Sequence, residues 1–257
     1  MATILDELAD SARVRVAQDK VRVPEEEMMI RAEAVFAEER FEAALASPGI
    51  SFICEVKKAS PSKGVIAVDF PYLGIAAEYE AAGADVISVL TEPTRFLGSD
   101  EYLEEIAAAV KIPVLRKDFV VDPYQLYQAK ALGAAAALLI VSLLGDELPL
   151  YLETASALGL GTLTEVHDES EARLAVSAGA HVIGVNNRDL KTFDVDTSLT
   201  ARLREFIPDG VLFVAESGIK TAEDVRLVRE AGADAVLIGE TLMRAEDKAA
   251  MLRELRS

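Results

Sequence analysis

Apolar and polar positions along this chain alternate between two rhythms. A recurring phrase of a small residue, a glycine and another small residue stands before several short apolar runs. It reads Ala82-Gly83-Ala84-Asp85 before 86–90, Leu132-Gly133-Ala134 before 135–140, and Leu158-Gly159 before 162–166. It returns as Ala178-Gly179-Ala180 before 182–185 and Ala231-Gly232-Ala233 before 235–238. Each glycine suits the left-handed position just past a helix, and each apolar run suits a strand buried on both faces. The segments upstream of these glycines carry helical spacing. One of them, 221–230, opens on Thr221 with Glu223 and Asp224 in its first turn, where the helix dipole favours negative charge. Three more strands, 51–57, 112–117 and 211–215, lack the glycine phrase. Pro113 stands at the start of its run, where a missing N–H does least harm.

Eight strands alternating with helices, at repeats of roughly 20 to 30 residues, predict a parallel sheet with right-handed crossovers. An open doubly wound sheet shares that alternation. The count of eight, and polar residues at the carboxyl ends of most strands, favour closure into a single (β/α)8 TIM barrel over 49–257. Residues 1–48 are expected to form a helical extension, with helices over 4–20 and 24–46, that covers the barrel or its rim. Pro24 suits a first helical turn. No Ser/Gly-rich linker or low-complexity tract interrupts the chain, so one domain is expected.

Composition narrows the partners. The 257 residues suit one barrel of this class, which takes roughly 250. Acidic residues outnumber basic ones, 44 to 26, for a formal charge of -18, and such a surface repels a phosphate backbone. Nucleic acid is therefore excluded as a partner, while a small anion is admitted only where local positive charge overrides the global field. The single cysteine, Cys54, cannot form an internal disulfide, in keeping with a reducing compartment. No run approaches the ~20 apolar residues of a membrane span, and no basic region followed by an apolar run opens the chain. A cytoplasmic protein without a membrane partner is expected.

Charge appears where a barrel strand should be apolar. Side chains two apart share a face of a strand, so Glu55 and Lys57 lie together, with Cys54, Val56 and Lys58 opposite. The third strand ends at Lys117, the fifth at Glu165, the sixth at Asn186-Asn187-Arg188 and the seventh at Glu216-Ser217-Gly218. Barrel enzymes carry their chemistry at this end of their strands. A purely structural layer of buried ion pairs is the alternative, but it is costly unless every group is paired. Two lysines facing several carboxylates instead form an acid–base set whose pKa values are tuned by charge and desolvation. The loops after strands seven and eight, Glu216-Ser217-Gly218-Ile219 and Ile238-Gly239-Glu240-Thr241, suit phosphate, which barrels bind there through glycine N–H groups and a helix N-terminus. Two histidines and one cysteine give no zinc arrangement, so no metal site is expected. His167, beyond a strand end, is expected in a surface or hydrogen-bonded role. Cys54 is expected to be an apolar filler, and the acidic runs 25–27 and 38–39 to be solvated helix faces.

The segment Phe52-Ile53-Cys54-Glu55-Val56-Lys57-Lys58-Ala59-Ser60-Pro61-Ser62-Lys63-Gly64 resembles the signature of the indole-3-glycerol phosphate synthase family. Val89-Leu90-Thr91-Glu92-Pro93 with Phe96, Leu115-Arg116-Lys117-Asp118-Phe119, and Thr164-Glu165-Val166-His167-Asp168 are similar to that family too. So are Gly184-Val185-Asn186-Asn187-Arg188-Asp189-Leu190, Ala215-Glu216-Ser217-Gly218-Ile219 and Ile238-Gly239-Glu240-Thr241-Leu242-Met243. The motifs fall in order and cover essentially everything from Ser51 onward. The resemblance implies closure of the pyrrole ring of 1-(2-carboxyphenylamino)-1-deoxyribulose 5-phosphate, with loss of carbon dioxide and water, in tryptophan biosynthesis. No organic cofactor or metal is implied, and the partner is a small phosphorylated substrate. Other enzymes of the tryptophan pathway are the protein partners to consider.

The resemblance also implies roles. Lys117 is the general acid, and Glu165 and Glu55 are the carboxylates of the dehydration, with Lys57 beside Glu55. Which lysine serves which proton transfer stays open. Asn186 and Glu216 hold hydroxyls or orient the lysines. Lys57, Ser60, Ser217, Gly218, Gly239 and the backbone of Glu240 are the phosphate candidates. Phe96, Phe119, Leu138, Ile140 and Leu190 are candidates for the apolar pocket of the anthranilate ring, and Leu138 and Ile140 serve equally as core. Arg188 suits a substrate anion or a structural role, and Arg116 and Asn187 are given none. Two other readings stand beside this one. One is a phosphate-binding barrel isomerase of an aminoribulose phosphate, which would lack Glu-x-Lys followed by Ser-Pro-Ser. The other is an inactive barrel kept as an assembly partner.

Overall fold

The strands follow the apolar runs almost residue for residue. The computed structural model describes residues 3–35, 41–189 and 192–257. Its barrel strands are Ser51–Val56, Val86–Leu90, Val114–Lys117, Ala136–Ile140, Gly161–Val166, Val182–Asn186, Leu212–Glu216 and Ala235–Ile238. Each pairs with its neighbours in the chain, and the first pairs in parallel with the eighth, Ser51 opposite Ala235, which closes the barrel. A closed sheet leaves no unpaired edge.

The two-residue period divides the interior into two cores. Phe52, Cys54 and Val56 point outward, where they pack with helix residues such as Tyr79 and Leu103. Ile53, Val86, Leu115, Leu163 and Val214 point inward and fill the barrel. The glycine phrase has the predicted meaning: Gly83 and Gly232 end their helices at φ 90° and 93°. The aspartates within it have a further use. The carboxylates of Asp85 and Asp234 each accept the N–H of a neighbouring strand's early residue, Phe52 and Phe213, both at 2.8 Å.

The N-terminal region departs from expectation. The helix predicted over 24–46 is broken into Glu25–Glu33 and Phe41–Leu45, with a tight turn at Ala34 and Val35; residues 36–40, including the Glu38–Glu39 pair, lie outside the described residues. Helical spacing alone gives no reason for the break; the burial of Phe41 does. That ring is fully buried at the end of the barrel where the strands begin. Gly161 makes room for it, since a Cβ there would lie 2.9 Å from the ring. The Ser51 hydroxyl donates to the carbonyls of Ala44 and Leu45, at 3.1 and 3.3 Å, and fastens this plug to the first strand.

The helix Ile4–Arg22 lies at the other end of the barrel. Thr3 and Asp6 form its capping box, and Ile4, Leu5 and Leu8 overhang the mouth. Two ion pairs fix it to the chain after the third strand: Arg15 Nη2 to Asp118 Oδ1 at 2.6 Å and Lys20 Nζ to Asp122 Oδ2 at 2.9 Å. After the first strand a short antiparallel hairpin, Ala59–Ser60 with Gly64–Val65, rises beside the mouth. It was not expected from the apolar pattern, because two-residue strands carry no period to read.

Phe41→Ala should destabilise the fold by about 3–5 kcal/mol, the usual cost of truncating a fully buried phenylalanine. The midpoint of urea unfolding checks this; an unchanged midpoint would mean that the plug does not contribute.

Candidate active site

Four alternate strands each deliver one charged side chain to the same level of the barrel. Glu55 comes from the first strand, Lys117 from the third, Glu165 from the fifth and Glu216 from the seventh. Lys117 Nζ lies 2.9 Å from Glu216 Oε2 and 3.3 Å from Glu165 Oε2. Lys57, two residues past Glu55 on the same face, pairs with Glu55 Oε2. Asn186, on the sixth strand opposite Glu216, stands near Glu165 and accepts the Arg188 N–H at 3.1 Å. The predicted catalytic residues therefore converge on one place.

Glycines make the convergence sterically feasible. A Cβ on Gly184 would lie 2.2 Å from Glu216 Oε1, and one on Gly239 would lie 2.2 Å from Glu55 Oε2 and 2.8 Å from Lys57 Nζ. Gly239, expected only to let backbone approach an anion, also clears space for the Glu55–Lys57 pair.

The carboxylates of Glu55, Glu165 and Glu216 are almost completely buried, facing the ammoniums of Lys57 and Lys117 and, at Glu165, the imidazole of His167. Burial alone would lower the Lys117 pKa, but Glu216, Glu165 and Glu55 outweigh it and raise it, so the residue is an ammonium. Burial likewise pushes Glu165 up, but Lys117 and His167 overcome it and hold the carboxyl well below the usual range. For Glu216, burial together with the like charges of Glu165 and Glu55 prevails over Lys117, and the pKa is pushed up to about 7. The site thus holds a fixed cation, a fixed anion and a carboxyl that changes state near neutrality.

These groups open onto a cavity of about 830 Å³. Phe96, Phe119, Leu138 and Ile140 form an apolar wall, with the rings of Phe96 and Phe119 6.1 Å apart. Lys57, Ser60, Ser217, Gly218, Gly239 and Glu240 line the same cavity, joined by Lys63 at the hairpin tip. Ser217 and Gly218 both adopt positive φ, 64° and 86°, an unusual conformation for a serine at the end of a strand. Asn187 holds that turn: its amide donates to the Ser217 carbonyl at 3.2 Å, and its oxygen accepts the N–H and hydroxyl of Thr200. Asn187, given no role from the sequence, has partners 13 and 30 residues away.

Other expectations resolve individually. Arg188 lines the cavity but donates to the Phe193 carbonyl at 3.0 Å, so part of its guanidinium is committed to its own loop. Leu190 lies outside the described residues. Arg116, fully buried, reaches Asp118, Asp100 and Gln128 at 3.1, 2.9 and 2.8 Å, a network behind Lys117. Of the surface and hydrogen-bonded roles expected, His167 takes the hydrogen-bonded one. Its Nε2 lies 3.3 Å from Glu165 Oε1 and its Nδ1 3.1 Å from Glu171 Oε2, and the two-residue spacing from Glu165 was the signal that could have placed it. Among the described residues no group of three or more His, Cys, Asp and Glu side chains is arranged to hold a metal ion.

Known proteins place the chain in a family. The family model described as indole-3-glycerol phosphate synthase matches residues 5–255. A protein of that name from Ruminiclostridium cellulolyticum is 52% identical, covering 98% of each chain, and one from Lachnoclostridium phytofermentans is 47% identical, covering 99% of each. Among solved structures, a 3-hexulose-6-phosphate synthase superposes with a TM-score of 0.64 over 80% of this chain and 98% of its own, at 17% identity. A thiamine phosphate pyrophosphorylase from Pyrococcus furiosus gives 0.61 over 80% and 93%, at 18% identity. Those two likenesses speak to the barrel alone. The near-complete family match and the curated relatives go further: this chain belongs to the indole-3-glycerol phosphate synthase family.

Proposed function

We propose that this chain is a carboxy-lyase that closes 1-(2-carboxyphenylamino)-1-deoxyribulose 5-phosphate to indole-3-glycerol phosphate, releasing carbon dioxide and water. The observation that carries the reading is Lys117, a buried ammonium held between Glu165 and Glu216 at the floor of a cavity with an apolar wall. The anthranilate ring occupies that wall, against Phe96, Phe119, Leu138 and Ile140. The phosphate sits among Lys57, Ser60, the turned backbone at Ser217 and Gly218, and the N–H groups of Gly239 and Glu240. This placement leaves the ribulose ketone above the charged layer.

The ring carbon bearing the carboxylate attacks the ketone carbon, forming the new carbon–carbon bond. Lys117 gives its proton to the oxygen, which would otherwise carry full negative charge. The bond to the carboxylate then breaks, and its electrons restore the aromatic ring as carbon dioxide leaves. In the dehydration the hydroxyl departs with a proton, and Glu165, held ionised, takes the proton lost from the adjacent carbon. The Glu55–Lys57 pair serves the departing hydroxyl, and Asn186 and Glu216 hold the groups around it. A phosphorylated substrate that does not cross membranes unaided, and a lone cysteine that is buried and free, support a cytoplasmic setting.

The purified protein mixed with the substrate should give a rise in indole fluorescence. Lys117→Ala and Glu165→Ala should each lower kcat by about 10²–10⁴-fold with the fold intact, the usual range for a proton-transfer group; near-normal turnover in both would sink the assignment. A second expectation concerns acidity. Glu216 carries its charge above about pH 7 and loses it below, releasing part of the hold on Lys117. The kcat/KM profile should therefore fall as pH drops through that value, and Glu216→Gln should flatten that limb.

A further inference from the structure

The fifth strand ends Glu165-Val166, and His167 follows it on the side of Glu165, its Nε2 3.3 Å from Glu165 Oε1. His167 does not line the cavity; it stands behind Glu165. Its orientation is set by the helix that follows, Glu169–Ser177. Asp168 caps that helix by accepting the Glu171 N–H at 2.9 Å, and Glu171 reaches back to accept the His167 backbone N–H at 2.8 Å. The same Glu171 oxygen lies 3.1 Å from His167 Nδ1, which turns Nε2 toward Glu165 Oε1 at 3.3 Å.

We propose that His167 is a positioning residue, an imidazolium clamped between Glu165 and Glu171 that keeps the Glu165 carboxylate ionised and its other oxygen turned toward Lys117. The inference rests on the reading of Glu165 as the base of the proposed reaction.

Three observations converge on it. His167 Nδ1 hydrogen-bonds Glu171 Oε2, while Nε2, buried and without a hydrogen-bond partner, lies 3.3 Å from Glu165 Oε1; a ring between two carboxylates is favoured in its protonated form, which offers a proton and positive charge to each. Burial opposes that proton, but Glu165 and Glu171 outweigh burial and raise the pKa to about 10. Glu165 is then flanked by a cation at each oxygen, Lys117 at Oε2 and His167 at Oε1. The remaining groups facing this arrangement are Asn186 from the sixth strand, Glu216 from the seventh, Glu55 from the first, and Asp168 beside His167. Without His167, Glu165 would keep one buried oxygen with no cation beside it, free to take a proton or to rotate.

Two measurements test this. In protein labelled with ¹⁵N in its imidazoles, the resonance that disappears in His167→Gln should report a protonated ring at pH 8, and Glu171→Gln should bring its titration down by about one unit or more, the scale expected for loss of one adjacent charge. Kinetically, His167→Ala should lower kcat about 10–100-fold, as the loss of outer partners of functional groups commonly does, with KM within about twofold. His167→Gln, whose amide N–H still reaches one oxygen, should recover part of the loss. A ring that is neutral at pH 8, or a folded His167→Ala enzyme with the kcat of the unsubstituted protein, would overturn the proposal. Should the unsubstituted protein fail to turn the substrate over, the functional reading falls, and the imidazole titration still decides the state of His167.

Discussion

A single ammonium, that of Lys117, holds this site together. Burying three carboxylates within one barrel layer is unfavourable unless cations neutralise them, and removing one partner of such a set costs far more than the set contributes to folding. Lys117 touches two of the three, and Lys57 takes the third. The arrangement obeys the way barrels fill their interior, in which alternate strands supply the four side chains of a layer. Here the odd strands supply Glu55, Lys117, Glu165 and Glu216, where lower layers carry aliphatic groups. The site is thus the uppermost layer of the core, with charge substituted for hydrocarbon.

That substitution constrains the neighbouring strands. The even strands give way at Gly184 and Gly239, whose missing side chains are the space that Glu216 and the Glu55–Lys57 pair occupy. It also reconciles the formal charge of -18 with an anionic substrate. Lys57, Lys63, Lys117, Arg188, Lys220 and Arg244 border the cavity beside Glu55, Asp118, Glu165, Asp194, Glu216 and Glu240, so the lining is balanced in charge where the chain as a whole is strongly acidic.

Much of this was legible in the chain. The strand runs and the glycine phrase placed all eight strands, because a strand buried on both faces leaves a continuous apolar run and a helix ending in a left-handed residue leaves a glycine. The odd-strand charges stood out because ionic residues are improbable in such runs. Most of what escaped depended on partners distant in sequence. Helical spacing continues through the break before Phe41, and only the hollow beside Gly161 explains why the helix stops. Asn187 looked idle until the Ser217 turn lay beside it. His167, read as a surface or hydrogen-bonded residue, is hydrogen-bonded to Glu171, and the carboxylate two residues before it was the sign of its second neighbour.

The plug at Phe41 bears on the order in which the molecule assembles. It belongs to the cluster that fills the barrel, drawn from early and late strands alike, from Ile53 to Ala235, and that interior is complete only when the eighth strand joins the first. A ribosome delivers the N-terminal segment first, yet that segment has no finished seat until almost the whole chain has emerged. Part of what is made first is therefore docked last, and a nascent chain carries an exposed Phe41 for most of its synthesis. Contacts so distant in sequence are slow to form. The acidic residues that surround Phe41 in the sequence, Glu38, Glu39 and Glu42, give that waiting segment a charge that discourages association with its own kind.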